Sequence, residues 1–206
     1  MSSLVLPRLY PILDAGCFPD INAILAFARE LAAGGVTLLQ YRNKTASARE
    51  ILSQARELRR VLGPEIRLIM NDRADLCLAA GFDGVHVGQD DLSPEAARAV
   101  VGPDRWVGTS THNPEQLRLA DQTSTDYLAI GPVFGTTSKA NPDPVVGLEG
   151  VRAARALTRK PLVAIGGITL ESFRSVLEAG ADSVAVISGL LKEPRKTAER
   201  MLVAAE

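Results

Sequence analysis

Several residue types are scarce in this sequence. Its 206 residues include two cysteines, two histidines and one tryptophan, and aromatic residues make up only 4%. Cys17 and Cys77 stand far apart and in no metal-ligand spacing. That excludes the disulfide framework of a small secreted domain and predicts two buried or semi-buried free thiols in a reducing compartment. An excess of either charge is also missing. Lys plus Arg number 23 and Asp plus Glu 24, for a formal charge of −1. This near balance excludes a nucleic-acid surface or a polybasic membrane anchor built on bulk electrostatics. No apolar run approaches the roughly 18 residues of a membrane span. The longest, 161–168, has the length of a strand. Pro7 and Arg8 interrupt the N-terminus too early for a signal-peptide apolar region, so the expected location is the cytoplasm.

What is present is glycine, 17 residues of it, and a regular alternation of short apolar runs with longer amphipathic stretches. Strands are predicted at 9–13, 37–41, 67–71, 84–87, 106–109, 127–130, 162–165 and 183–187. They are rich in Val, Ile and Leu and continuous rather than alternating, as strands covered on both faces should be. Helices are predicted at 21–33, 46–62, 74–80, 94–100, 114–120, 148–158, 170–179 and 194–205. Asp20 is a plausible N-cap, and Ser93-Pro94 and Asn113-Pro114 each set a cap residue before Pro at the first helical position. Gly34, Gly63, Gly81 and Gly180 sit where helices should stop.

Eight strand–helix units without a linker predict an α/β fold, a single (β/α)8 TIM barrel over residues 1–206. The length is at the lower edge of what that barrel needs, roughly 200 residues. A doubly wound sheet is the competing architecture, but it would show about five or six units. Gly34-Gly35-Val36, Gly81-Phe82-Asp83-Gly84-Val85 and Gly180-Ala181-Asp182-Ser183-Val184 occupy equivalent helix-to-strand positions and form a faint internal repeat.

In such barrels the active site lies at the C-terminal strand ends, so the polar residues after each apolar run are the candidates. Gly166-Gly167 and Ser188-Gly189, after strands seven and eight, suit a phosphate held by backbone N–H groups and a following helix N-terminus. Asp72 and Asp91 follow neighbouring strands three and four, where two carboxylates facing one cavity repel unless a cation separates them. Their hard oxygens suit Mg²⁺, which takes one or two protein carboxylates and completes its shell with water and phosphate oxygens. Arg42, Lys44 and Lys139 would add a cationic cradle for a diphosphate. The blander readings are ordinary tight turns, capping aspartates and solvated surface charges. His86, inside a strand run, reads as a core or wall residue, and His112 sits just past a strand end. There is no Gly-x-Ser-x-Gly elbow, no P-loop, no Gly-x-Gly-x-x-Gly and no His-Glu-x-x-His.

The ordered set Gln40-Tyr41-Arg42-Asn43-Lys44, Asn71-Asp72-Arg73, Gly84 to Asp91, Gly131-Pro132-Val133-Phe134 with Thr136-Thr137-Ser138-Lys139, and Ile165-Gly166-Gly167-Ile168 resembles the thiamine-phosphate synthase family. The likeness runs from Tyr10 to Ser188. It implies a β/α barrel that joins hydroxymethylpyrimidine diphosphate to thiazole phosphate, giving thiamine phosphate and pyrophosphate with Mg²⁺. By position, the resemblance assigns Gln40, Arg42, Lys44, Asn71, Ser110 and Lys139 to the pyrimidine diphosphate, and Asp72 and Asp91 to Mg²⁺. It assigns Thr136, Thr137, Ser138, Gly167, Ile187 and Ser188 to the thiazole phosphate, and gives Lys139, Arg42 and Ser110 the catalytic roles. Asn43 departs from the acidic residue usual in the Gln-x-Arg-x-Lys stretch, which affects only the local charge balance.

The resemblance also implies a dissociative mechanism, without a covalent enzyme intermediate. Two rivals use the same barrel: a thiazole tautomerase with His112 as acid/base, and a non-catalytic phosphate sensor needing only Gly167 and Ser188. Neither has a use for the carboxylate pair with its cations. The expected partners are small-molecule substrates, with no nucleic acid and no membrane, and a homo-oligomer is left open. The segment 135–144, with its Gly, Thr, Ser and Asn-Pro content, is the lid candidate.

Overall fold

A computed structural model describes residues 4–135 and 143–205. Eight strands alternate with eight helices. They are β1 (Leu9–Asp14), α1 (Ile21–Ala33), β2 (Leu38–Arg42), α2 (Ala48–Leu62), β3 (Arg67–Asn71), α3 (Ala74–Ala80), β4 (Gly84–Val87) and α4 (Pro94–Val101). The second half is β5 (Trp106–Thr111), α5 (Pro114–Asp121), β6 (Tyr127–Ile130), α6 (Gly147–Leu157), β7 (Leu162–Ile165), α7 (Leu170–Glu178), β8 (Ser183–Val186) and α8 (Pro194–Ala204). All neighbouring strands pair in parallel, and β8 returns to β1 with Leu9 opposite Val184 and Pro11 opposite Val186. The expected closed barrel is therefore the fold, and the doubly wound sheet is excluded.

Each strand is buried on both faces because its side chains feed two separate apolar clusters. The outward set, including Leu39, Val85, Val107 and Val184, packs beneath the helices. The inward set, including Tyr10, Ile12, Leu38, Ile69, Tyr127, Val163 and Ala185, fills the barrel. Most boundaries fall within two residues of those expected. The largest consequence comes at β5, which runs on to Thr111, so Ser110 is a strand residue sharing the inward parity of Gly108. Asp20, Ser93 and Asn113 cap their helices as the sequence suggests, accepting from Ala23, Ala96 and Gln116 N–H at 2.9, 3.2 and 2.9 Å. α7 stops sooner than expected, with Ala179 rather than Gly180 at its C-cap. Two short 3-10 turns, Ala15–Cys17 and Ser188–Leu190, follow β1 and β8. The first carries Cys17 into solvent, correcting the expectation that both thiols are at least half-buried. Cys77 is buried, and its thiol contacts the Gly84 carbonyl at 3.2 Å.

At the N-terminal rim one arrangement occurs three times. Asp83, Asp126 and Asp182, each just ahead of an even-numbered strand, accept from Leu68, Val107 and Leu162 N–H at 2.7, 2.7 and 2.8 Å. The same carboxylates pair with Arg59 of α2, Arg98 of α4 and Arg155 of α6. Each guanidinium also donates to carbonyls beyond its own helix, such as Gly63, Gly102 and Lys160 at 2.9 Å in each case. One carboxylate thus satisfies an N–H at the start of a strand, and one arginine ties the preceding helix end to it. The glycine repeat of the sequence does lie at helix-to-strand joints, with Gly34 and Gly81 as C-caps and Gly180 just after one, but it does not coincide with this carboxylate set. The set's third member is Asp126, which lacks the flanking glycine signature, whereas Gly34-Gly35-Val36 carries no carboxylate. No helix is long and apolar enough to cross a membrane among the described residues.

Asp126→Ala leaves the Val107 N–H without its acceptor and the Arg98 guanidinium without its carboxylate partner. The expected loss, about 1–3 kcal/mol of unfolding free energy, should appear as a lower urea midpoint with an unchanged slope.

Candidate active site at the C-terminal rim

The strand ends enclose a cavity of about 540 Å³. Ten expected site residues line it: Gln40, Arg42, Lys44, Asn71, Asp72, Asp91, Ser110, Gly167, Ile187 and Ser188. They come from distant parts of the chain and meet because parallel closure puts every strand's C-terminal end on one rim. Thr136, Thr137, Ser138 and Lys139 lie outside the described residues, as does most of the proposed lid.

One side of the cavity is built from β1 to β4. Asp14 and Arg42 are register partners at the ends of β1 and β2, and their side chains form an ion pair. Lys44 reaches across to pair with Asp72. Asp72 itself occupies left-handed backbone at φ 62°, which is uncommon for a non-glycine residue. Its N–H is tied to the His86 carbonyl at 2.8 Å, which helps hold that conformation. Burial raises the Asp72 carboxyl above the usual carboxylate range, Lys44 opposes the rise, and the adjoining Asp91 carboxyl adds to it. Asp91 is anchored by Gly88 N–H at 2.8 Å. Two carboxyl groups in contact, one destabilised as an anion, form a donor set that a hard cation would relieve. Among the described residues no group of three or more His, Cys, Asp or Glu is arranged to hold a metal. Two carboxylates match the one or two that Mg²⁺ accepts, its shell being completed by water and phosphate oxygens.

The opposite side is built from backbone. Gly167 has φ 62°, and a Cβ there would lie 2.3 Å from the Gly135 carbonyl oxygen. Only glycine allows this close approach. Ser188 opens the short turn after β8. The N–H groups of Gly167, Ser188 and Gly189 find no acceptor among the described residues. Donors left over at the rim suit an anionic oxygen ligand.

Between the two sides runs a buried polar chain. Gln40 Nε2 donates to Tyr10 Oη at 3.0 Å, and Tyr10 Oη meets Tyr127 Oη at 3.0 Å. Tyr127 Oη meets His86 Nδ1 at 3.1 Å, and His86 Nε2 meets Ser110 Oγ at 2.9 Å. Gln89 holds the Ser110 carbonyl at 2.6 Å. Gly108 makes room for this chain, since a Cβ there would lie 2.1 Å from Tyr127 Cζ. Burial pushes both tyrosine hydroxyls well above their usual pKa and lowers His86 to about 4. His112 donates Nδ1–H to the Gly131 carbonyl at 2.7 Å and lies 3.5 Å from Asp143.

Sequence reasoning missed Asp14, Tyr10 and Tyr127, and gave Gln89, within the stretch after the fourth strand, no role. Asp14 directly follows the first apolar run, so the signal for it was present at the one strand end that contributed no candidate. Tyr10 shares the inward parity of Ile12. The link from Tyr10 to Tyr127, 117 residues apart, has no local signature. His86 is the wall residue expected, with a set of partners that the sequence did not suggest.

A closed eight-stranded barrel with a polar cavity at its C-terminal rim defines the class of β/α-barrel enzymes. Within that class, the thiamine monophosphate synthase family model matches residues 9–190. The thiamine-phosphate synthase of Koribacter versatilis (strain Ellin345) is 68% identical over 204 residues, covering 98% of this chain and 97% of that protein. The one from Chlorobium phaeovibrioides is 42% identical over 181 residues, covering 86% and 87%. The solved thiamine phosphate pyrophosphorylase from Pyrococcus furiosus superposes with a TM-score of 0.84 at 33% identity, covering 97% of this chain and 95% of that one. The chain belongs to the thiamine-phosphate synthase family.

The state of His86 sets a pH dependence. In the unfolded chain its imidazole takes up a proton near 6.5, whereas in the fold it stays neutral down to about 4. Between these values the unfolded state binds more protons, so stability falls as pH drops. Unfolding by urea should show a loss of about 2–3 kcal/mol from this group between pH 7 and pH 4, and His86→Gln should flatten that part of the slope.

Proposed function

We propose that this chain joins hydroxymethylpyrimidine diphosphate to thiazole phosphate, releasing pyrophosphate and forming thiamine phosphate with Mg²⁺. The observation that carries this reading is a single cavity with two unlike anion-handling sides. One pairs carboxylates with cations, and the other offers backbone N–H groups beside glycine.

In this reading Asp72 and Asp91 hold Mg²⁺, which supplies charge stabilisation to the diphosphate when bound. Arg42, Lys44 and Lys139 neutralise the departing pyrophosphate. Gln40, Asn71 and Ser110 hold the aminopyrimidine. Thr136, Thr137, Ser138, Gly167, Ile187 and Ser188 anchor the thiazole phosphate. The bond between the exocyclic carbon and the diphosphate oxygen breaks first, and its electron pair leaves with pyrophosphate. The electron-rich aminopyrimidine carries the resulting cation. The thiazole nitrogen, held close by its phosphate anchor, then forms the new C–N bond. No group needs to take up a proton, which fits a site rich in anion-holding groups and poor in titratable bases. In this reading the reaction runs in the cytoplasm, a compartment that suits the free Cys17 and Cys77.

Incubating the purified protein with both substrates should yield thiamine phosphate only when Mg²⁺ is present. Asp91→Ala should lower that turnover by about 100-fold or more while leaving thiazole phosphate binding nearly intact. Thiazole isomerisation that survives EDTA, with no thiamine phosphate formed, would replace this reading with the tautomerase. Full activity of the variant would remove the metal assignment.

A further inference from the structure

We propose that Tyr10, Tyr127 and His86 are positioning residues. They form a one-way hydrogen-bond chain from Gln40 to Ser110, and this direction makes the cavity select an amino-substituted ring over its oxo counterpart. The choice of ring rests on the condensation reading above. The direction of the chain rests on the hydrogen bonds alone.

The direction follows from counting protons. Four links join five side chains: Gln40 to Tyr10, Tyr10 to Tyr127, Tyr127 to His86 and His86 to Ser110. Gln40 Nε2 can only donate, so Tyr10 Oη accepts there and its single proton must go to Tyr127. Tyr127 then has its own proton for His86 Nδ1, which accepts. The remaining imidazole proton sits on Nε2 and points to Ser110 Oγ. Any other assignment with one proton in each link leaves the hydroxyl proton of Tyr10 or Tyr127 without an acceptor, inside a barrel where both are fully buried, whereas this one leaves the spare proton on Ser110 beside the cavity. A protonated imidazole has one proton too many for the chain. Its depressed pKa, caused by burial, agrees with this count.

Both ends of the chain face the cavity. At one end Ser110 accepts from His86, so its own hydroxyl proton is left to donate to a ligand. At the other end Gln40 has spent one N–H on Tyr10, which leaves its Oε1 and its second N–H for a ligand. A side-chain amide presenting this donor–acceptor pair matches an amino group next to a ring nitrogen, as in amide recognition of adenine. An oxo ring with a protonated nitrogen offers the opposite pair. Turning the Gln40 amide over to meet it would put Oε1 against Tyr10. Every link would then have to reverse, His86 would move its proton to Nδ1, and Ser110 would lose its free donor. The chain therefore makes the amide flip at Gln40 costly from the far side of the barrel.

Long-range proton–nitrogen spectra of histidine-labelled protein, assigned against His112→Gln, read the direction without turnover. Nε2 of His86 should carry the proton and Nδ1 should be bare, and a proton on Nδ1 would overturn the proposal. Turnover is then compared for the aminopyrimidine diphosphate and its oxo analogue. The wild-type protein should prefer the amino ring by about 100-fold, and Tyr127→Phe and Tyr10→Phe should each erode that preference by about tenfold. The change should fall on the KM for the pyrimidine, with the KM for thiazole phosphate unmoved. Two folded variants that keep the full preference would also overturn the proposal. Wild-type protein that makes no thiamine phosphate from either ring counts against the condensation reading, and the His86 tautomer then decides the direction by itself.

Discussion

The pairing of β8 with β1 is the constraint on which the rest of the molecule depends. An open sheet would leave the ends of β1 and β8 far apart. Closure sets Arg42, Asp72, Asp91, Ser110, Gly167 and Ser188 around one cavity. It also limits the interior to a narrow space filled by side chains from alternate positions. The strands are only four to six residues long, so the apolar interior below and the polar rim above are separated by little more than one layer of side chains.

That intermediate layer explains the buried polar chain. Gln40, Tyr10, Tyr127 and His86 lie below the rim, where an unpartnered hydroxyl or amide would be costly. Their mutual hydrogen bonds let the barrel keep polar atoms beneath its cavity, and Gly108 provides the space for the ring of Tyr127. At the rim the logic changes from hydrogen bonding to charge. Arg42 and Lys44 are held by Asp14 and Asp72 in place, so the cations are positioned before any substrate arrives. Positioned charges in a partly enclosed cavity need little rearrangement to act on a developing anion. The opposite rim uses the same ion-pair chemistry for a different purpose, since its Arg–Asp pairs tie helix ends to strand starts.

Much of this was legible in the chain. Eight apolar runs, their spacing, and caps such as Asp20, Ser93 and Asn113 announce the barrel, because strand burial and helix initiation are local properties. The polar residues after those runs announce the rim, which is how Asp72, Asp91, Ser110 and Ser188 were found. The parts that stayed hidden depend on contacts across the barrel. Asp126 does the same work as Asp83 and Asp182, yet its flanking residues, Thr125 and Tyr127, show no repeat. Tyr10 and Tyr127 fall within apolar strand runs, and nothing near either one indicates the other.

The sequence alone determined the architecture and the membership of the rim, since the hydrophobic period of each element and the order of elements leave one economical closure. It also determined the kind of chemistry available there, through the supply of carboxylates, cations and glycines. Tertiary structure decided which of these groups act on one another. Whether Lys44 meets Asp72, whether Asp72 touches Asp91, and which way a proton chain can run through His86 depend on distances between residues brought together only by closure. Hydrogen bonds and ion pairs fall away within a few ångströms, so no pattern along the chain can specify them.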